Sequence, residues 1–154
     1  MGIYFIDSSA LVKRYINEVG STWVLDLFTP TSNNEIFIAA ITSVEIIAAI
    51  TRAERSKRIS ASDALAVRDH FKNDLLTEYQ VIEIAESIIV AGMTLAEAYG
   101  LRGYDAIQLA AGCTVNTLCI SSGLAPIVFV SADNELNVAA SNKGLIVENP
   151  NMQP

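Results

Sequence analysis

Short continuous apolar runs alternate along this chain with longer segments of helical period. The runs are Ile3-Tyr4-Phe5-Ile6, Ile36 to Ile41, Gln80 to Ile84, Ile127 to Val130 and Leu145 to Val147. Runs of this length, bounded by polar residues, suit strands buried on both faces. Between them the spacing predicts helices from Ala10 to about Asn17, from Gly20-Ser21 to near Thr29-Pro30, and from Thr42 to about Ser56. Further helices are predicted from Ser60 to about Tyr79, over 85–100, from Asp105 through about Val115, and over 134–142. Pro30 disfavours helix in the residue before it, Gly100 suits a helix end, and Thr42-x-x-Glu45 has the spacing of a capping box. Alternation of buried strands and helices predicts an α/β fold: a three-layer α/β/α domain with a central parallel sheet of about five strands. No repeat or linker interrupts the pattern. Residues 1–148 therefore read as one domain and 149–154 as a loose polar tail.

Composition fits this picture. The chain of 154 residues is 51% hydrophobic and 18% charged, which is globular rather than disordered. Cys113 and Cys119 make neither a zinc spacing nor a redox pair, so reduced thiols are expected. No apolar run approaches a membrane span and the N-terminus lacks the features of a signal peptide. The expectation is a soluble, cytoplasmic protein with no membrane partner.

The net charge of −7 argues against nucleic acid as a partner, because phosphate contacts need Lys and Arg. Two features oppose that conclusion. Arg52, Arg55, Lys57 and Arg58 fall close together, and acids that hold divalent cations reverse the local sign once the metal is bound.

Four acids occupy strand ends or helix starts: Asp7, Glu45, Asp105 and Asp133. Each has a structural reading alone. Asp7 with Ser8 and Ser9, Asp105, and Asp133 can cap the helices they precede, and Glu45 can complete its capping box. Yet Asp7, Glu45 and Asp133 each follow a predicted strand, and ligands of open α/β sheets bind beyond the carboxyl ends of strands. Two carboxylates ~4 Å apart repel by about 4 kcal/mol at an effective dielectric of 20. A hard divalent cation, Mg²⁺ or Mn²⁺, would relieve that repulsion and accept phosphate oxygens. The single histidine, His70, sits in the long amphipathic helix, which leaves a catalytic triad or a zinc site unsupported. Position 9 is Ser rather than the second Asp of an aspartyl phosphatase, and neither a dinucleotide fingerprint nor a P-loop is present.

Taken in order, Tyr4-Phe5-Ile6-Asp7-Ser8-Ser9-Ala10-Leu11-Val12-Lys13, Thr42-Ser43-Val44-Glu45, Leu101-Arg102-Gly103-Tyr104-Asp105-Ala106-Ile107-Gln108-Leu109-Ala110 and Val130-Ser131-Ala132-Asp133-Asn134-Glu135-Leu136 resemble a PIN-domain ribonuclease, and more narrowly a VapC-type toxin of a toxin–antitoxin pair. The resemblance implies a Mg²⁺- or Mn²⁺-dependent endoribonuclease that leaves 5′-phosphate and 3′-hydroxyl ends. It implies that Asp7, Glu45, Asp105 and Asp133 are the metal-binding catalytic acids, with Ser9 and Ser131 supporting them. Arg102 becomes a candidate for contacting phosphate or balancing the acids. Lys13, Arg14, Arg52 and Arg55 become candidates for tracking the RNA backbone, against a solvated helix face as the alternative. A small antitoxin and a homodimer are the partners implied. A PIN nuclease in RNA processing, or a partner-binding module without catalysis, are the other readings. Gln108 departs from the histidine frequent in such proteins, and little consequence is expected of it.

Overall fold

The computed structural model describes residues 1–153; Pro154, the last residue of the expected tail, lies outside the described residues. Five parallel strands form one sheet: β1 (Ile3–Ile6), β2 (Glu35–Ala39), β3 (Gln80–Ile82), β4 (Val128–Val130) and β5 (Ile146–Glu148). Their order is β3-β2-β1-β4-β5. The register sets Tyr4 opposite Ile36 on one side and opposite Val128 on the other. The helices are α1 (Ser8–Tyr15), α2 (Ser21–Asp26), α3 (Ile41–Arg55), α4 (Ala61–Thr77), α5 (Glu86–Tyr99), α6 (Gly103–Ser121) and α7 (Asn134–Asn142).

Alternation along β1 divides the core. Phe5 faces a cluster with Leu109, Val115, Phe129 and Leu136 under α5, α6 and α7. Ile6 faces the other way, into Leu11, Ile38, Ile46, Ile50 and Phe71 under α1 to α4. Helices thus cover both faces of a parallel sheet, which is why the strands read as continuous apolar runs. Phe5 and Phe129, paired in register, stack with ring centroids 5.6 Å apart. Gly112 lets α6 approach that pair, since a Cβ there would lie 2.8 Å from the Phe129 ring.

Some boundaries move for identifiable reasons. Helix α2 stops at Asp26 rather than near Pro30, because Ser32 Oγ and Asn34 Nδ2 turn back to donate to the Leu27 carbonyl at 3.1 and 3.0 Å. Helix α6 runs past Val115 to Ser121, with Cys119 continuing its buried face. The Thr42-x-x-Glu45 spacing is not a capping box: α3 starts at Ile41, and its N-cap, Ala40, offers no side-chain bond. Residues expected to form a loose tail fold into a 3-10 turn over Pro150–Met152, with Pro150 buried where Gly20, at φ +86, carries no side chain. Among the described residues no helix is long and apolar enough to cross a membrane, and both cysteines are free thiols.

The topology places the site. From β1 the chain builds outward through β2 and β3, then returns to the other side of β1 for β4 and β5. The loops leaving β1 and β4 therefore diverge at their carboxyl ends, and an open parallel sheet binds ligands in the crevice formed there.

Candidate active site

Asp7 follows β1 directly, and its backbone N–H extends the pairing by donating to Val130 O at 3.0 Å. Its carboxylate is only 2% exposed. Oδ1 accepts from the Ala10 N–H at 3.0 Å, capping α1, and from Ser9 Oγ at 2.7 Å. Oδ2 accepts from Ser131 Oγ at 2.7 Å. The cap is thus Asp7 itself; Ser8 and Ser9 are the first helical residues. Ser9 Oγ also accepts from the Ala132 N–H at 2.9 Å, tying the start of α1 to the loop after β4. Burial nevertheless dominates, and it pushes the Asp7 pKa up to about 6 against the three hydrogen bonds that lower it. Among the described residues no Lys, Arg or His side chain forms an ion pair with this group.

Glu45 comes from α3, one turn after Thr42 on the same face. Both are engaged by Gln108: its Nε2 donates to Thr42 Oγ1 at 2.8 Å, to Glu45 Oε1 at 2.9 Å and to Ser8 Oγ at 3.1 Å. Ser8 Oγ donates in turn to Glu45 Oε1 at 2.8 Å. Asp105 stands in the first turn of α6. Partial burial raises its pKa first, and the charges of Asp133 and Glu45 raise it further; Arg102 pulls the other way. Asp133 caps α7 through Oδ1, which accepts from the Leu136 N–H at 3.0 Å.

Asp7, Glu45 and Asp105 line one pocket of about 240 Å³, together with Ser8, Ser9, Arg52 and Gln108. Asp133 lies outside that lining, close enough for its charge to act on Asp105. Among the described residues no three carboxylate, imidazole or thiol groups stand close enough to share one ion. The donors still suit a hard divalent cation. They are carboxylates and hydroxyls, burial raises the pKa of Asp7 and of Asp105 and neighbouring acids raise them further, and Mg²⁺ takes only one or two carboxylates while keeping waters and substrate oxygens.

The family model of the PIN domain matches residues 4–140. The chain belongs to the PIN domain family. No curated protein matches it. Its fold is shared by FitAcB from Neisseria gonorrhoeae, at 13% identity and a TM-score of 0.63 over 96% of this chain and 97% of that one. PAE2754 from Pyrobaculum aerophilum is similar at 25% identity and a TM-score of 0.61, over 95% of this chain and 83% of that one. A toxin–antitoxin complex from Klebsiella pneumoniae is similar at 17% identity and a TM-score of 0.58, over 96% and 97%.

The basic residues of this PIN domain divide sharply. Lys13 is 5% exposed and paired with Glu18 at 3.0 Å. Arg14 lies 3.8 Å over the Phe28 ring, donates to Tyr79 Oη at 2.8 Å and approaches Asp74 at 3.6 Å. Tyr15 Oη, hydrogen-bonded to Tyr79 Oη, meets the same Asp74 at 2.7 Å. Lys13 and Arg14 are therefore paired cations of the fold, Lys13 buried and Arg14 largely so. Their position on α1 beside the acids suggested exposure to the groove; the partners that turn them inward, Glu18 for Lys13 and Asp74 with Tyr79 for Arg14, were not visible in sequence. Arg52 and Arg55 are exposed, and only Arg52 reaches the pocket. Arg58 turns to Glu18 at 3.8 Å. Arg102 is exposed at the start of α6. Sequence reasoning underrated Gln108 and Thr42, both buried and joined in the site. The available signal was a polar residue inside an apolar helix, one turn after Asp105.

Proposed function

We propose that this PIN domain is a metal-dependent endoribonuclease acting as the toxin of a toxin–antitoxin pair. The observation that carries the reading is the convergence of Asp7, Glu45 and Asp105 on one pocket whose buried carboxylate, Asp7, has no ion-pair partner among the described side chains. The cation these acids would hold, Mg²⁺ or Mn²⁺ with Asp133 beside it, supplies a bound water of lowered pKa and a Lewis acid for phosphodiester hydrolysis. The protein side chains supply position. Asp7 is fixed by bonds to both its oxygens, with Ser9 and Ser131 as donors. Glu45 is fixed by Ser8 and Gln108. Asp105, half-buried on α6, completes the acidic wall. Arg52 at the pocket rim binds a phosphate of the RNA backbone, and Arg102 moderates the repulsion around Asp105.

The partner proposal is supported by the Klebsiella pneumoniae neighbour, itself a toxin–antitoxin complex, and by the ordered motifs that resemble VapC-type toxins. A small antitoxin protein and a second copy of this chain are the partners of this reading. Purified protein incubated with structured RNA and Mg²⁺ or Mn²⁺ is expected to cleave it, and Asp7→Asn and Asp105→Asn are each expected to abolish cleavage. Undiminished cleavage by both variants would sink the assignment. Growth arrest on induced expression, relieved by a co-expressed neighbouring small protein, tests the toxin role separately.

A further inference from the structure

Gln108 is one turn after Asp105 on α6, and its side chain is 2% exposed among small and apolar neighbours on that helix. Its Oε1 is buried with no donor, while its Nε2 serves Thr42, Glu45 and Ser8. The nitrogen alone therefore orients the amide. Turned over, it would set a carbonyl oxygen against the Glu45 carboxylate, acceptor against acceptor. Both donors to Glu45, Gln108 Nε2 at 2.9 Å and Ser8 Oγ at 2.8 Å, fall on Oε1. Oε2 has no side-chain donor among the described residues, and Glu45 lines the pocket shared with Asp7 and Asp105.

We infer that Gln108 is a positioning residue for the metal centre: it ties Oε1 of Glu45 to the protein and leaves Oε2 presented to a divalent cation. This rests on the reading of the acids as metal ligands. A neutral amide suits the role because it adds no charge that would compete with the ion, and it orders the carboxylate before the ion arrives. Outer partners of this kind tune a site by orienting its ligands. Thr42, wholly buried, takes the closest of the three bonds and fixes the amide in turn.

The test is Mn²⁺ titrated into RNA-free protein, followed by calorimetry and by the paramagnetic resonance signal of free Mn²⁺. Gln108→Met removes the donor at similar length. Gln108→Leu removes both polar atoms without adding charge, so one variant serves if the other fails to fold. Each is expected to bind Mn²⁺ about 10–100-fold more weakly. Cleavage should return as Mn²⁺ is raised, with KM for RNA unchanged. Wild-type Mn²⁺ affinity in a folded Gln108 variant, alongside an Asp7→Asn protein that has lost binding, would overturn the role and leave the metal reading standing. Wild-type affinity in Asp7→Asn would instead overturn the metal reading itself.

Discussion

Asp7 is a helix cap and a buried uncompensated acid at once, and the two roles set opposite demands on its ionisation. Three hydrogen bonds favour the carboxylate, while burial favours the neutral acid and prevails, lifting the pKa from 3.8 to about 6. An acid whose pKa rises on folding contributes stability that is fully present below its unfolded value and lost as pH climbs through its folded one. In metal-free protein this site should therefore lose up to about 3 kcal/mol as pH rises from below 4 to above 6. Denaturant melts at pH 5 and pH 7.5 are expected to show that slope in the wild type and a flatter one in Asp7→Asn. The two arginines first grouped together should separate as cleanly. Arg14→Ala strips a cation from Asp74, Phe28 and Tyr79 and is expected to cost on the order of 3 kcal/mol, with RNA binding retained in whatever protein remains folded. Arg52→Ala should change stability by no more than about 0.5 kcal/mol while raising KM for RNA, as melts and cleavage kinetics on the same preparations will report.

At the scale of elements, α6 does most to assemble the site. It carries Asp105 and Gln108 on one face and buries Leu109, Ala111 and Val115 on others. Its approach to the sheet depends on Gly112 over the stacked Phe5 and Phe129 rings. Gly112→Ala would push a methyl into the Phe129 ring and is expected to cost about 1–3 kcal/mol, measured as a lower Tm. If the helix shifts to accommodate it, Gln108 shifts too, and Mn²⁺ affinity should fall with stability. Helix α3 shows how one spacing can carry two meanings. Thr42 and Glu45 are three residues apart in a capping box or on one helical face. The helix starts at Ile41, before Thr42, so the second meaning holds.

For the molecule as a whole, the net charge of −7 and the acidic pocket would make the proposed cation binding the central electrostatic event. Anything that binds only the folded state stabilises it, by about 2.7 kcal/mol at a hundred times its dissociation constant. Adding Mn²⁺ or Mg²⁺ at pH 7.5 is accordingly expected to raise the Tm, and the rise should shrink in Asp105→Asn. The strand order gives the reason for the site's location. With β1 central and the chain reversing between β3 and β4, the carboxyl ends of β1 and β4 open a crevice that Asp7 and Ser131 enter from opposite sides.

The apolar runs and helical periods were sufficient by themselves for the α/β class, the parallel sheet and its strands. The inner strands β1, β2 and β4 are mostly buried on both faces and leave a continuous apolar signature, while the edge strands β3 and β5 are short and more exposed. The ordered motifs pointed to the PIN family, and the four acids were visible as polar residues at strand ends and helix starts. Tertiary packing decided what sequence position left open. Lys13 and Arg14 share α1 with the site, but only the placement of Glu18, Phe28, Asp74 and Tyr79 turns them inward. Gln108 and Thr42 are far apart in the chain, and only the fold, which brings the start of α6 to the start of α3 at the carboxyl edge of the sheet, sets them 2.8 Å apart. Local periodicity reports which face of an element is apolar; it carries no information about which distant polar group arrives to meet a buried one.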